Sequence, residues 1–298
     1  MKNPIGLQTA YWSGTNPKQN IHQIIRLTKA AGMDIIELKA ADFVSLSALE
    51  RSDLRKEIKQ AGLCITVNGT GLRPQRDISS SNIEVHKAGI RHLKYMIDLC
   101  KEMGAIYFSG IPYGLWNTKP EGKDVAEIKK IRTENAISGL KEVAEHAHKT
   151  GVILCMEIVN HFEQYIVNTV DEGIALCQAI NNENCKLLLD TFHMNIEEDY
   201  IPDSIRKASE QGCLGYLHLR ESNRRIPTGK KKSNIDWSAI AKVIHEIKFN
   251  GPTVMEPFVF SQSPSAESVS LWRTIKEEED IKGLVTDAKD GADYLRNL

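Results

Sequence analysis

The sequence lacks any apolar run that approaches the roughly 20 residues needed for a membrane-spanning helix. Its first residues, Met1-Lys-Asn-Pro-Ile-Gly6, contain no signal-type apolar core. The chain has 38 Lys and Arg residues and 39 Asp and Glu residues, so its charges nearly cancel. It therefore has no overall positive charge that would attract a nucleic-acid backbone. We therefore expect a cytoplasmic protein with neither nucleic acid nor a membrane as a partner.

The cysteines also lack any CxxC spacing, which argues against a thiolate metal site and against a disulfide framework. They lie in or beside apolar segments, so we expect small buried hydrophobic side chains in a reducing compartment. The six are Cys64, Cys100, Cys155, Cys177, Cys185 and Cys213.

Strand and helix signals alternate along the chain. Helical spacing of Ile240, Val243, Ile244 and Ile247 predicts one helix, and Thr169-Val-Asp-Glu172 has the spacing of a capping box at the start of another. The predicted strands are short apolar runs at Ile5–Thr9, Asp34–Leu38, Leu63–Val67, Ala105–Phe108, Val152–Glu157, Cys185–Asp190, Leu214–His218 and Pro252–Glu256.

These eight units predict the fold class. Continuous apolar strands are typical of parallel strands that helices cover. The chain has 298 residues, close to the length of one α/β barrel, and no Pro/Gly/Ser-rich linker separates the units. The pattern favours a single (β/α)8 TIM barrel over residues 1–298 rather than a doubly wound open sheet.

Four metal-ligand residue types stand at the ends of four consecutive predicted strands: Glu157, Asp190, His218 and Glu256. One such carboxylate alone could simply begin the polar loop after a strand. The candidates are separated by 33, 28 and 38 residues, which is enough for one helix and one strand each time. Parallel strands would bring their ends to one rim, so the set predicts a metal site there.

The sequence around these residues resembles the ketose 3-epimerases, the group of D-tagatose 3-epimerase and D-psicose (D-allulose) 3-epimerase. The resemblance runs nearly from end to end, from Ala10-Tyr-Trp12 to Leu271-Trp-Arg273. It is carried by four ordered motifs: Met156-Glu-Ile-Val-Asn-His-Phe-Glu163, Leu189-Asp-Thr-Phe-His-Met-Asn-Ile-Glu-Glu198, His218-Leu-Arg-Glu-Ser-Asn-Arg-Arg225 and Val254-Met-Glu-Pro-Phe258.

The resemblance implies a xylose-isomerase-like barrel in which Glu157, Asp190, His218 and Glu256 hold one divalent ion. Manganese is the usual ion of the family, with cobalt or magnesium as substitutes, and oxygen-rich donors suit such cations. It also implies proton removal and return at carbon 3 of a ketose through a cis-enediolate. Glu157 and Glu256 would be the two acid/base groups, one on each face of the carbon.

Further positions match substrate contacts of the family. His193 and Arg224 would donate hydrogen bonds to substrate oxygens. The resemblance implies that Glu163 contacts the substrate and orients metal ligands, that Glu37 is a polar contact, and that Trp116 is an apolar wall. A homodimer or homotetramer is the assembly that the resemblance implies.

Four features depart from the family pattern. Arg220 stands where the family usually has Gly, Tyr216 where it often has His, and His161 where it usually has Arg. A lysine-rich loop, Thr228-Gly-Lys-Lys-Lys-Ser-Asn234, replaces a short Gly-rich stretch. These departures affect the expected sugar more than the chemistry, since none of the four ligands changes.

Three other functions are open to a chain of this kind. An enzyme of a phosphorylated ketose or related polyol is the first, because Lys230–Lys232 follow strand 7, where barrels often bind phosphate; we expect this run to be a solvated loop. A non-catalytic sugar-binding regulator is disfavoured by the presence of both glutamates. An endonuclease acting at abasic sites is disfavoured by the balanced charge and the single metal cluster. The acidic stretch 277–280 is expected to be a solvated surface run.

Overall fold

The structure is a computed structural model that describes residues 1–15, 18–276 and 280–298. Its strands pair in sequence order into one closed barrel, and the strand pairs described are parallel, which confirms the predicted TIM-barrel class. The strands are β1 (Ile5–Gln8), β2 (Ile35–Lys39), β3 (Cys64–Asn68), β4 (Tyr107–Gly110), β5 (Ile153–Ile158), β6 (Cys185–Asp190), β7 (Leu214–His218) and β8 (Thr253–Met255).

Helices alternate with these strands. None of the described helices combines the length and the hydropathy that crossing a bilayer requires. The α-helices are α1 (Ile21–Ala30), α2 (Ala48–Gln60), α3 (Ile83–Glu102), α4 (Val125–Thr150), α5 (Val170–Ile180), α6 (Thr191–Glu197), α7 (Ile201–Glu210), α8 (Trp237–Glu246) and α9 (Ile281–Asn297); short 3-10 helices cover Thr9–Gly14 and Ala40–Asp42.

Two local predictions about helices can be compared with the structure. The capping box is present at the start of α5, where the Thr169 hydroxyl accepts from the Glu172 amide and the Glu172 carboxylate accepts from the Thr169 amide. The apolar stripe of α8 is buried at Ile240, Val243 and Ile244, while Ile247 caps the C-terminal end of the helix. Residues 277–279 of the acidic stretch lie outside the described part of the chain.

Chain contacts divide the protein into two compact units, Met1–Thr66 with Leu217–Leu298, and Val67–Tyr216. In the first unit, β1 pairs with β2 on one side and with β8 on the other. Gly6 lies opposite Ile35 and Val254, and a Cβ at Gly6 would come within 2.7 Å of Val254 Cγ2. The absence of a side chain therefore allows the three strands to pack at this level.

The second unit contains the parallel strands β4, β5 and β6 and the helices α3 to α7. Ser109 of β4 is paired with Cys155 of β5, and Glu157 of β5 is paired with Leu188 of β6. All six cysteines are free, as the spacing predicts, and five are buried. Cys64 is exposed at the first residue of β3, so the expectation of burial was wrong there.

Candidate metal centre

The four candidate ligands occupy equivalent places along their strands. Asp190 and His218 are the last residues of β6 and β7, Glu157 is the residue before the last in β5, and Glu256 directly follows β8. In parallel strands these positions face the same end of the barrel. The common strand-end position inferred from the sequence is therefore confirmed.

The four side chains form one buried cluster. One potential ligand atom from each of Glu157, Asp190, His218 and Glu256 lies within 4.8 Å of the corresponding atoms of the other three. Asp190 and His218 are fully inaccessible to solvent, and both glutamates are 6% exposed. The protein thus concentrates three carboxylates and one imidazole in a volume that little water enters.

This cluster fits a divalent cation. Two ligands on opposite sides of such an ion are separated by at most about twice a bond length of roughly 2.0 to 2.4 Å, close to the observed span. Oxygen donors with a single imidazole suit manganese, magnesium, cobalt or zinc, and the set contains no thiolate. Three buried carboxylates this close together would repel one another unless a cation or protons balanced their charge. The chemistry of the donors therefore favours a divalent metal site.

Within the first unit, Glu37 fixes the orientation of His218. The two oxygens of Glu37 lie 3.0 and 3.2 Å from His218 Nε2, and both residues are fully buried. A carboxylate only accepts, so Nε2 carries the proton and Nδ1 presents its lone pair. His218 Nδ1 lies 3.5 Å from Glu256 Oε2, as expected for two atoms that share one ion. Metal-binding imidazoles are commonly held in this way.

Two further side chains position Glu256. The amide of Gln8 donates to Glu256 Oε1 at 2.5 Å and to Glu37 Oε2 at 2.9 Å, so it bridges the two carboxylates. Arg220 Nη1 lies 3.0 Å from Glu256 Oε2 and also donates to the Glu256 backbone carbonyl at 3.2 Å. Substrate contact by Glu37 stays a prediction, and its partners favour a role in positioning His218.

The predicted substrate-binding residue Arg224 lies on the loop after β7. Its backbone adopts the left-handed region with φ of +67°, and its carbonyl accepts a hydrogen bond from the Phe258 amide at 3.1 Å. The Arg224 guanidinium carbon is 5.8 Å from the centroid of the Phe258 ring, and that of Arg220 is 5.5 Å away. Both arginines are thus within reach of a cation–π contact with one ring.

Within the second unit, the loop after β5 fixes the tautomer of His193. The backbone amide of Asn160 donates to His193 Nδ1 at 3.2 Å, and the side-chain nitrogen of Asn160 lies 2.7 Å from the same atom. A backbone N–H can only donate, so Nδ1 is an acceptor and a neutral His193 carries its proton on Nε2. That Nε2 lies 4.0 Å from Glu157 Oε1. His193 can therefore donate a hydrogen bond to a group beside Glu157.

The same loop holds Glu163 and Trp116 together. Glu163 Oε2 accepts from the indole nitrogen of Trp116 at 2.9 Å, and Oε1 accepts from Asn160 at 3.2 Å. Trp116 is 40% exposed while Glu163 is buried. Trp116, Glu163, Asn160 and His193 thus form a hydrogen-bonded chain, which places three of the predicted substrate contacts side by side.

Buried contacts also fix the backbone beside Glu157 and Asp190. The Tyr113 hydroxyl donates to the carbonyl of Glu157 at 2.7 Å. Burial, and then the charge of Glu157, raises the pKa of Tyr113 well above its ordinary value, so the hydroxyl stays protonated and keeps this bond. Asp190 Oδ1 accepts from the Phe192 amide at 2.7 Å and caps α6.

Sequence reasoning missed three residues around the cluster. Gln8 ends β1, but the predicted strand ended at Thr9, and glutamine is not among the residue types sought as metal ligands. Asn160 lies two residues beyond the end of β5. Arg220 was noticed only as a departure from the family, and its ion pair with Glu256 had no signal in the chain.

Comparisons with known proteins agree with this geometry. The family model described as "Xylose isomerase-like TIM barrel" matches residues 25–296. The D-psicose 3-epimerase of Ruminiclostridium cellulolyticum is 31% identical over 291 residues, covering 98% of this chain and 96% of that protein. The L-ribulose 3-epimerase of Mesorhizobium japonicum is 30% identical, covering 91% and 87% of the two chains.

A solved structure is similar over the same extent. The D-psicose 3-epimerase of Clostridium cellulolyticum H10, crystallised with D-tagatose, superposes with a TM-score of 0.90 at 30% identity, covering 99% of this chain and 98% of that one. Coverage of nearly the full length at this identity, together with the barrel and the buried cluster, establishes the family of the chain. The chain belongs to the ketose 3-epimerase family of isomerases, within the xylose isomerase-like TIM barrels.

Proposed function

We propose that the protein is a metal-dependent epimerase that inverts carbon 3 of a free ketose of the D-tagatose, D-psicose or D-fructose type. The observation that carries this proposal is the buried cluster of Glu157, Asp190, His218 and Glu256 in a chain of this family. The sugars named for the similar proteins, D-psicose, L-ribulose and D-tagatose, support ketoses as the substrate class.

We assign Glu157, Asp190, His218 and Glu256 as ligands of one divalent ion, with Mn²⁺ preferred and Co²⁺ or Mg²⁺ as alternatives. When bound, such an ion would polarise the oxygens of the ketose and stabilise negative charge next to its carbonyl. Glu37 keeps His218 in the tautomer that offers Nδ1, and Gln8 and Arg220 hold the carboxylate of Glu256 in place.

Glu157 and Glu256 carry the proton in this proposal. One glutamate, as carboxylate, accepts the proton of the C3–H bond; the electron pair of that bond forms a C2–C3 double bond, and the π pair of the C2 carbonyl moves onto its oxygen. The other glutamate, as carboxylic acid, then returns a proton to the opposite face of carbon 3, and the electron pair on the C2 oxygen re-forms the carbonyl. Atoms and charge balance, because the two groups exchange protonation states and solvent resets them before the next turnover.

Neighbouring side chains bind and orient the sugar. His193 Nε2 and the Arg224 guanidinium would donate to substrate oxygens on which negative charge develops. Glu163 and Trp116 would form a polar contact and an apolar wall, since the indole is partly exposed and the carboxylate anchors it. Glu37 remains a candidate polar contact as well as the partner of His218.

We further propose that residues 1–298 act as one catalytic domain, which the continuous strand order of the barrel supports. A homodimer or homotetramer in the cytoplasm is the assembly and location that we expect for it. A phosphorylated ketose or related polyol is the second candidate substrate, favoured by the lysine-rich loop after β7. A non-catalytic regulator is disfavoured, because both proton-carrying glutamates are present and buried at the site.

The experiment that tests the proposal is incubation of manganese-loaded protein with a panel of free ketoses and ketose phosphates, followed by product identification. We expect C3 epimers of free ketoses, the same equilibrium mixture from either epimer, loss of turnover with a chelator, and recovery with Mn²⁺. The absence of a C3 epimer from every sugar in the panel would refute the proposed activity. Turnover of the phosphates alone would establish the second candidate.

A further inference from the structure

A cavity of about 390 Å³ lies beside the segment that follows β7, and all its lining residues belong to the first unit. Neither the four cluster residues nor any of the predicted substrate contacts lines it. Its volume falls in the range of sites that hold small molecules, roughly 300 to 1,000 Å³. Tyr11, Ile226 and Val259 contribute apolar surface, and five cationic residues line the remainder together with polar groups: Arg225, Lys230, Lys231, Lys232 and Lys276.

The lysine-rich loop is held at both ends. Gly229 packs against the ring of Tyr294 on α9, where a Cβ would come within 2.4 Å of a ring carbon. Lys230 forms an ion pair with Asp290 of the same helix. At the other end, the Ser233 hydroxyl donates to the carboxylate of Glu221. Lys231 and Lys232 lie between these two attachments, and both line the cavity.

Two other cations are fixed on the wall of the cavity. Arg225 Nη2 donates to the carbonyl of Ile275 at 2.8 Å. The Lys276 side chain is only 12% exposed and forms an ion pair with Asp287, which also lines the cavity. These contacts fix the charges in place before any ligand arrives, which lowers the entropic cost of binding one.

The charges of this region do not balance. Five cations line the cavity, and the carboxylates that line it or pair with its cations are Glu221, Asp287 and Asp290. Two positive charges remain in excess, although the whole chain has a formal net charge of −1. A phosphate monoester carries about −1.5 to −2 charges at neutral pH and would compensate this excess.

We propose that this cavity binds the phosphate group of a phosphate monoester, with Lys231 and Lys232 as the principal contacts. Its walls come from segments after β7 and after β8, and (β/α)8 barrels frequently bind phosphate in these loops. The phosphate reaches the cavity either on the sugar substrate itself or on a separate phosphorylated molecule. The site is independent of the metal cluster and does not rest on the proposed epimerase activity.

Isothermal titration calorimetry of the full chain with inorganic phosphate tests the site without metal or turnover. We expect phosphate to bind the wild-type protein, and Kd to rise at least about tenfold in Lys231→Ala/Lys232→Ala, since two charge-assisted hydrogen bonds are lost. The matched control is Lys242→Ala/Lys289→Ala, which removes the same charge from α8 and α9 of the same unit and should leave Kd unchanged. Binding should also weaken as KCl is raised.

Two results would overturn the proposal: no binding of phosphate to the wild type, or an equal loss of affinity in the control variant. The source of the phosphate is decided by repeating the experiment with a ketohexose 6-phosphate. If the substrate carries it, that sugar is epimerised, and the Lys231/Lys232 variant raises its KM while KM for the free ketose stays constant. If a separate molecule carries it, the sugar phosphate binds in the titration but is not epimerised.

Discussion

Arg220 Nη1 lies 3.0 Å from Glu256 Oε2, and only 1% of Arg220 and 6% of Glu256 is exposed. The pair places a permanent positive charge against one of the three carboxylates of the cluster. With a divalent cation bound, the three carboxylates would still leave one negative charge, and the Glu37 carboxylate beside His218 adds another. A residue that stands where the family usually has glycine therefore offsets part of the negative charge of the buried site.

Replacement of Arg220 by Gln should make the protein depend more strongly on metal. The metal-free variant leaves three buried carboxylates uncompensated, and the loss of one partner from a buried pair costs about 3 to 5 kcal/mol of stability. Part of this loss should return when Mn²⁺ binds, so the rise in melting temperature between chelator and Mn²⁺ should be larger than in the wild type. Differential scanning calorimetry measures both values.

The neighbouring Arg225→Gln variant is the control, because Arg225 is partly exposed and bonds to the carbonyl of Ile275 rather than to the cluster. It should show the wild-type rise in melting temperature. An Arg220→Gln protein with an unchanged rise would mean that the Arg220 charge does not contribute to the balance of the site.

Asn160 controls which nitrogen of His193 carries the proton. In Asn160→Asp a carboxylate would replace the side-chain donor that lies 2.7 Å from Nδ1. This charged acceptor would compete with the backbone amide of residue 160, which still donates to Nδ1 at 3.2 Å, and would draw a proton to Nδ1. His193 could then no longer donate from Nε2 as a neutral group, and kcat should fall by roughly 10- to 100-fold, as for other residues that orient a site. The ¹⁵N chemical shifts of His193 report the tautomer directly.

Asn160→Ser is the matched variant for this test, since it removes the side-chain amide without adding a charge and keeps the backbone amide that donates to Nδ1. It should keep the Nε2–H tautomer and lose less activity than Asn160→Asp. If both variants lose activity equally while only one changes the tautomer, the tautomer is not what Asn160 supplies.

His92 should make stability fall in mild acid. Burial, and then the charge of Arg76, lowers the pKa of His92 below its ordinary value of 6.5, while Nε2 lies 2.8 Å from the carbonyl of Thr70. The unfolded chain takes up a proton as pH drops through 6.5, and the folded chain does so only at lower pH. The free energy of unfolding should therefore decrease as pH falls below 6.5. Urea titrations of wild type and His92→Gln from pH 7.5 to 5 should show a flatter dependence in the variant, whereas parallel curves would exclude His92 as the cause.

The sequence was sufficient to predict the strands that have a strong local pattern of apolar residues. Predicted strands at Cys185–Asp190 and Leu214–His218 coincide with β6 and β7, and the ligand-type residues at the ends of four strands do meet in one cluster. Apart from the start of β1 at Ile5, the ends of the other six strands differ from the predicted ends by one or two residues, since an apolar run does not mark where backbone pairing stops.

The side-chain contacts between strands could not be predicted from the sequence. Leu7 of β1 is paired with Met255 of β8, so the next residues, Gln8 and Glu256, lie side by side although they are 248 positions apart. This proximity depends on the register of β1 against β8, which no local pattern in either strand predicts. The contacts of Arg220 with Glu256 and of Asn160 with His193 depend on tertiary packing in the same way.

Glu157→Gln and Glu256→Gln should each abolish net epimerisation, because each variant lacks the proton carrier on one face of carbon 3. Each should still exchange the C3 proton of one epimer with solvent, and the two variants should act on opposite epimers. Proton NMR of each epimer in deuterated water measures this exchange, and circular dichroism checks that the fold is intact. Exchange of the same epimer by both variants would mean that a single base serves both faces.

The most direct test of the central claim is the isotope content of carbon 3 after turnover of a free ketose by the Mn²⁺-loaded wild-type protein in deuterated water. Two glutamates that exchange protons with solvent predict a C3-epimerised product with deuterium at carbon 3 and at no other carbon. An epimerised product without solvent deuterium at carbon 3 would contradict the account, since it would require hydride transfer or return of the same proton.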